Sequence, residues 1–133
     1  MKNILISTGG SGGHVTPAIS FYEHLKENFN VYLVSDKRGS QFIEKKLYNF
    51  ELIDVPNIYS KKLMFPINLI FFFYFFIKSF NFLKKNKINI LVSTGGYMSL
   101  PICIAATILK IKIFLFEPNM VLGRTNKLIL RFS

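Results

Sequence analysis

Short apolar runs alternate with longer stretches of helical periodicity along the whole chain. Runs at Asn3–Ser7, Val31–Ser35, Glu51–Val55, Asn89–Ser93 and Lys112–Phe116 predict five strands. The first, fourth and fifth are almost continuously apolar, the pattern of strands covered on both faces. Between and after them, helices are expected over Pro17–Glu27, Ser40–Tyr48, Pro66–Lys85, Leu100–Leu109 and Val121–Phe132. Thr16 is placed to cap the first of these, with Pro17 at the first helical position, where its missing N–H costs nothing. Five β–α units in succession predict an α/β fold, a Rossmann-like doubly wound parallel sheet with right-handed crossovers, as a single domain over residues 1–133.

Composition narrows the class. Half of the 133 residues are apolar, 15 of them Phe, which excludes a disordered chain. The one cysteine, Cys103, excludes a disulfide framework or a cysteine-rich zinc site, and between Ile102 and Ile104 it reads as a buried thiol. Met1–Ser7 leads straight into glycines, without the apolar stretch and cleavage site of a secretory signal, so a cytoplasmic chain is expected. The last predicted helix runs to within one residue of the end without a capping glycine or tail, so a chain stopped at an element boundary is expected.

The net charge of +10 is unevenly spread. Residues 1–60 hold six basic and six acidic side chains, whereas residues 61–133 hold eleven Lys or Arg against Glu117 alone. Basic and aromatic residues concentrated together suit either nucleic acid or an anionic membrane surface.

Candidate chemistry sits in loops that follow strands. Thr8-Gly9-Gly10-Ser11-Gly12-Gly13-His14 joins the first strand to the first helix, the carboxyl-end position where open α/β sheets bind ligands. Four glycines permit close backbone approach, and the helix start behind them favours an anion. The spacing excludes a dinucleotide fingerprint and a P-loop, and no acid is suitably placed for a ribose. A second loop, Ser93-Thr94-Gly95-Gly96-Tyr97, follows the fourth strand and should flank the same crevice, an arrangement suited to a diphosphate or sugar diphosphate. Tyr97 serves there by stacking or hydrogen bonding, or else simply packs. His14 stands either as a general base for a hydroxyl or as a residue that orients the loop. Glu117 and Asn119 follow the fifth strand at the same edge, and Asn119 offers a donor and an acceptor to the crevice or caps a helix.

The Phe-rich segment Ile67–Ile77 is bounded by Lys61 and Lys62 before it and by Lys78, Lys84, Lys85 and Lys87 after it. Pro66, Asn68, Lys78 and Asn81 interrupt it, so a bilayer span is disfavoured. Without a clean polar face, it reads as an interfacial helix, with Phe71, Phe72, Phe73, Phe75 and Phe76 in lipid and Lys78, Lys84 and Lys85 on anionic head groups. A crossover helix buried against the sheet is the competing reading. No nucleic-acid module is recognisable, so no nucleic-acid partner is expected.

GGSGGHVTPA at Gly9–Ala18, STGGYMSLP at Ser93–Pro101 and EPNMVLGRTNK at Glu117–Lys127 together resemble the N-terminal domain of the undecaprenyl-diphospho-muramoylpentapeptide β-N-acetylglucosaminyltransferases of peptidoglycan synthesis. The resemblance covers essentially the whole chain and implies the N-terminal half of a GT-B fold. It implies inverting transfer of GlcNAc from UDP-GlcNAc to the 4-hydroxyl of lipid I, giving lipid II, with no metal or other cofactor. It further implies docking on the inner face of the cytoplasmic membrane as a peripheral protein. By that resemblance Ser11, Gly12, Gly13 and Asn119 reach the GlcNAc end of the donor, and Gly95, Gly96 and Tyr97 take the acceptor diphosphate. His14 would assist deprotonation of the acceptor. Ser11 stands where Thr is usual, keeping the hydroxyl, and Phe116 stands where His is common. The donor-binding C-terminal domain of that fold is absent from these residues, so the chain alone is expected to be inactive. It is either part of the enzyme or a non-catalytic membrane-anchoring subunit that partners a separate donor-binding chain.

Overall fold

A computed structural model describes residues 1–55, 65–119 and 123–131. Five parallel strands form one sheet in the order β3-β2-β1-β4-β5. They are β1 (Asn3–Thr8), β2 (Asn30–Ser35), β3 (Phe50–Leu52), β4 (Ile90–Ser93) and β5 (Lys112–Leu115). The helices are α1 (Gly12–Leu25), α2 (Phe65–Lys85), α3 (Ser99–Ile108) and α4 (Arg124–Ile129), with a short 3-10 turn at Gly39–Phe42. The order reverses between β1 and β4, which pair in register from Ile4↔Ile90 to Ser7↔Ser93. That reversal brings their following loops together at the carboxyl edge.

Strand alternation divides the core into two layers. Ile4 and Ile6 point to one face, where they meet Leu33, Val92, Val15 and Ala18 of α1, and Ile43. Leu5 points to the other, against Val34, Leu91, Leu83 of α2, and Ile102, Ala105 and Ala106 of α3. Cys103 lies in this second layer, as expected, and burial pushes its thiol up to about 12.

Three predicted elements differ. α1 begins at Gly12, so Thr16 is not its cap and Pro17 lies inside the helix. The cap is Ser11, held extended at φ −126° and ψ 162°, whose carbonyl accepts the N–H of His14 at 3.0 Å and of Val15 at 3.2 Å. The helix expected over Ser40–Tyr48 is confined to the short turn at Gly39–Phe42. Ile43 then goes extended (φ −107°, ψ 124°) to plug the core. β5 is not covered on both faces, since Phe114 is nearly half exposed while Ile113 packs inward. Lys61 and Lys62, and the predicted helix residues Val121 and Phe132, lie outside the described residues.

α2 carries apolar side chains all round, for two different reasons. Phe72, Phe75, Phe76 and Phe80 pack on the core, with Ser79 and Leu83 fully buried between sheet and α3. Ile70, Phe73, Tyr74 and Ile77 face outward, Ile70 being 70% and Tyr74 60% exposed. One face of the helix thus packs as the crossover reading expects, and the other is apolar and exposed. From Ile67 to Lys85 it is long and apolar enough to cross a membrane, by length and composition alone.

Candidate functional site

His14 is the residue of the first glycine loop that reaches a cavity. α1 starts early enough that His14 sits in its first turn, half-buried, and its Nδ1 lies 2.6 Å from the carbonyl oxygen of Thr94. Thr94 begins the second glycine loop, so this contact spans 80 residues of sequence and joins the two loops. Gly95 and Gly96 continue with φ of +95° and +90°, the left-handed region where a side chain is strained. A Cβ on Gly96 would stand 2.8 Å from the Gly9 carbonyl oxygen, so the two glycine loops touch instead of facing each other across a gap.

The cavity opens one strand further along. It encloses about 190 Å³ between His14, Gly95 and Gly96 on one side and Glu117, Asn119, Gly123, Thr125 and Asn126 on the other. Both Glu117 oxygens are engaged. Oε1 accepts the backbone N–H of Asn119 at 3.2 Å and its side-chain amide at 2.9 Å, and Oε2 accepts the N–H of Gly123 at 2.8 Å and the Asn126 amide at 3.0 Å. These donors, the Gly123 N–H foremost, hold the carboxyl below the usual carboxylate range. Glu117 therefore acts as the anchor of the loop before α4, with its acceptor capacity spent on that loop.

Asn126 carries more than the sequence reading assigned to it. It is 1% exposed, donates Nδ2 to Glu117, and its Oδ1 is buried without a hydrogen-bond partner among the described residues. Asp36 was equally hidden. It directly follows β2, where a dinucleotide fold places its ribose acid, so the expectation that no acid stands there is corrected; its Oδ1, however, accepts the Gly10 N–H at 2.9 Å and the Gly39 N–H at 2.6 Å. The one acid in the ribose position is turned inward to brace the first glycine loop. The signal in sequence was only that an acid follows the β2 run directly.

The remaining candidates divide. Gly95, Gly96 and Asn119 line the cavity with His14, whereas Ser11 caps α1 and Gly12 and Gly13 open it outside the cavity, with Ser11 and Gly13 exposed. Tyr97 is half-buried against the α2–α3 side of the core. Phe116 packs edge-on to Phe21, ring centroids 5.3 Å apart. Of the helix residues, Phe71 and Phe73 are exposed, while Phe72, Phe75 and Phe76 turn to the core. Lys78 departs from the expected head-group role: its Nζ lies 3.3 Å from Glu51 and donates to the Leu52 carbonyl at 3.3 Å. Lys84 lies over the Phe80 ring at 5.5 Å, and Lys84 and Lys85 are exposed. Among the described residues, no group of three His, Cys, Asp or Glu side chains could hold a metal ion.

Residues 4–133 match the Glycosyltransferase family 28 N-terminal domain. The chain is 54% identical over 131 residues to a UDP-N-acetylglucosamine–N-acetylmuramyl-(pentapeptide) pyrophosphoryl-undecaprenol N-acetylglucosamine transferase of Pelagibacter ubique, covering 98% of this chain and 37% of that protein. A protein of the same name from Francisella tularensis subsp. holarctica is 36% identical over 138 residues, covering 99% of this chain and 36% of its own length. The chain thus spans little more than a third of these curated relatives. In fold it is similar to the crystal structure of Acinetobacter baumannii MurG (TM-score 0.83, 22% identity, all of this chain and 40% of that one). It is also similar to the UDP-GlcNAc 2-epimerase of Methanocaldococcus jannaschii (TM-score 0.63, 18% identity, all of this chain and 38% of that one).

Proposed function

The chain belongs to the glycosyltransferase family 28 N-terminal domain family, and from that premise we propose that it is the acceptor-binding, membrane-docking half of a lipid II-forming GlcNAc transferase. The supporting observation is the junction of the two glycine loops at His14, beside a cavity of sugar-group size whose carboxylate is already committed. In this reaction the 4-hydroxyl oxygen of the lipid I muramoyl sugar attacks C1 of GlcNAc from the face opposite UDP. A C–O bond forms to the acceptor, the C1–O bond to the diphosphate breaks, and the hydroxyl proton passes to His14. The electron pair leaves with UDP, and the configuration at C1 inverts. Gly95 and Gly96 would take the acceptor diphosphate, with Tyr97 beside them. Ser11, Gly12, Gly13 and Asn119 would meet the GlcNAc end of the donor.

The same half would rest on the anionic inner face of the cytoplasmic membrane. The support is the outward face of α2, where Ile70, Phe73, Tyr74 and Ile77 are exposed in succession and Lys84, Lys85 and Lys87 follow at the helix end. Lys78, expected on the head groups as well, is paired with Glu51.

The uridine and most of the donor diphosphate would need a second domain. The test is GlcNAc transfer from labelled UDP-GlcNAc to lipid I, by the 133-residue chain and by the chain joined to the remainder of the Pelagibacter relative. The joined protein should turn over and the chain alone should not. In the joined protein His14→Ala should lower kcat by about 10²–10⁴-fold, the range for a lost general base. Unchanged turnover would remove His14 from that role. A separate donor-binding chain restoring transfer in trans would instead identify a two-chain enzyme.

A further inference from the structure

We propose that Thr94 is the positioning residue of this site: its carbonyl selects the Nδ1–H tautomer of His14 and leaves Nε2 as the ring atom that accepts a proton. A peptide carbonyl has no hydrogen to give, so in the 2.6 Å contact Nδ1–H is the donor. A neutral imidazole carries one ring proton, and fixing it on Nδ1 leaves the lone pair on Nε2.

The carbonyl can do this because Thr94 is held at every polar atom. Its N–H donates to the Ser7 carbonyl at 3.0 Å, and its Oγ1 donates to Thr8 Oγ1 at 2.8 Å. Ser7, Thr8 and Thr94 are all fully buried. The hydroxyl bond ties β4 to β1 just beyond their last paired residues, Ser7 and Ser93. The left-handed Gly95 then turns the chain away at once, and its missing Cβ leaves room for the ring. The imidazole thus meets an acceptor set by the sheet itself. The role of Nε2 in transfer rests on the reading of His14 as base, but the tautomer is measurable without turnover.

The experiment is a long-range ¹H–¹⁵N correlation of the histidine rings in the ¹⁵N-labelled 133-residue chain at pH about 8.5, two units above the ordinary imidazole value. His14 should show a protonated Nδ1 and a bare Nε2, whereas His24, exposed on α1, should show the Nε2–H form preferred by a free histidine side chain. Thr94→Val, which keeps the branched shape and loses the hydroxyl, should shift the His14 tautomer ratio about fivefold toward Nε2–H, the factor of one ordinary hydrogen bond. Thr94→Ser should retain the wild-type form, and Thr8→Val should act as Thr94→Val does. A wild-type His14 protonated on Nε2 would overturn the proposal, as would a ratio unmoved by both valine variants. If the tautomer is as expected but the joined enzyme survives His14→Ala, the base reading fails and the positioning stands.

Discussion

The His14 ring occupies space that a side chain at Gly95 would need. A Cβ built there would lie 3.1 Å from both Nδ1 and Cε1 of His14, and 3.7 Å from the Asn126 amide nitrogen. Two site residues, His14 and Asn126, therefore converge on the methyl volume vacant at Gly95, and the left-handed φ of +95° excludes a side chain a second time.

Gly95→Ala should separate these two costs. The backbone term for a non-glycine residue there is roughly 1–2 kcal/mol, and displacement of the imidazole adds to it. In urea unfolding, Gly95→Ala should destabilise the wild-type chain more than it destabilises a His14→Ala chain, where the steric term is relieved. Equal losses in both backgrounds would show that the ring does not resist the methyl group.

Asp36 should matter to the first glycine loop more than to any ligand. Its Oδ1 serves two backbone donors, Gly10 and Gly39, and the residue is buried. Removing a charged acceptor from two such donors costs roughly 2–4 kcal/mol. Asp36→Ala should lower urea stability by that amount, and Asp36→Asn, which keeps Oδ1, should recover most of it. If Asp36→Ala proves as stable as wild type, the carboxylate does not brace the loop.

Much of this architecture was legible in the residues, for reasons visible at particular positions. NILIS and NILVS read as buried strands because Leu5 and Leu91 go to one layer while Ile6 and Val92 go to the other, so the central positions of both are apolar. The helix starting inside the glycine loop was not legible. Gly12 and Gly13 are poor helix formers, and the start is tied to a contact of His14 with a carbonyl 80 residues away. The helix expected after β2 failed because Ile43 is drawn extended into the core, a tertiary demand that local periodicity does not carry. On α2 the lack of a polar face was plain, but which phenylalanines turn inward depends on where α3 lies. Likewise Glu117 read as a lone acid at the sheet edge, with nothing local to foretell that four donors from Asn119, Gly123 and Asn126 would engage it.

That engagement gives the chain an acid-sensitive contribution. Hydrogen bonding from Gly123, Asn119 and Asn126 lowers the folded-state value of Glu117 below the reference of 4.5. The ionised form is thus favoured by folding, and the stability it contributes is fully present above about pH 4.5. It is lost as pH falls through the lowered folded value. Glu117 is half-exposed, so solvent screens the effect and the change is modest. Urea midpoints measured between pH 6 and pH 3 should fall less steeply for Glu117→Gln than for wild type. Parallel curves would mean that Glu117 ionisation is not linked to folding.

The two faces of α2 should respond oppositely to the same substitution. Ile70 and Tyr74 lie one turn apart on the outward face, whereas Phe76 packs into the core. Placing an aspartate at Phe76 buries a charge without a partner and should unfold the chain, as followed by loss of cooperative urea unfolding. Ile70→Asp with Tyr74→Asp should leave stability within about 1 kcal/mol, because both positions already face solvent. If the outward face enters lipid, each lost side chain forfeits roughly 1.5–3 kcal/mol of apolar burial. Sedimentation with phosphatidylglycerol vesicles should then show binding at least about 100-fold weaker for the pair. Lys84→Gln with Lys85→Gln should weaken binding by about 1 kcal/mol per charge at low salt, with the difference shrinking as salt is raised. Undiminished vesicle binding by the Ile70/Tyr74 pair would remove this face as the docking element. Oligonucleotide binding at equal salt, with no affinity for the vesicles, would reassign the basic charge of this half to nucleic acid.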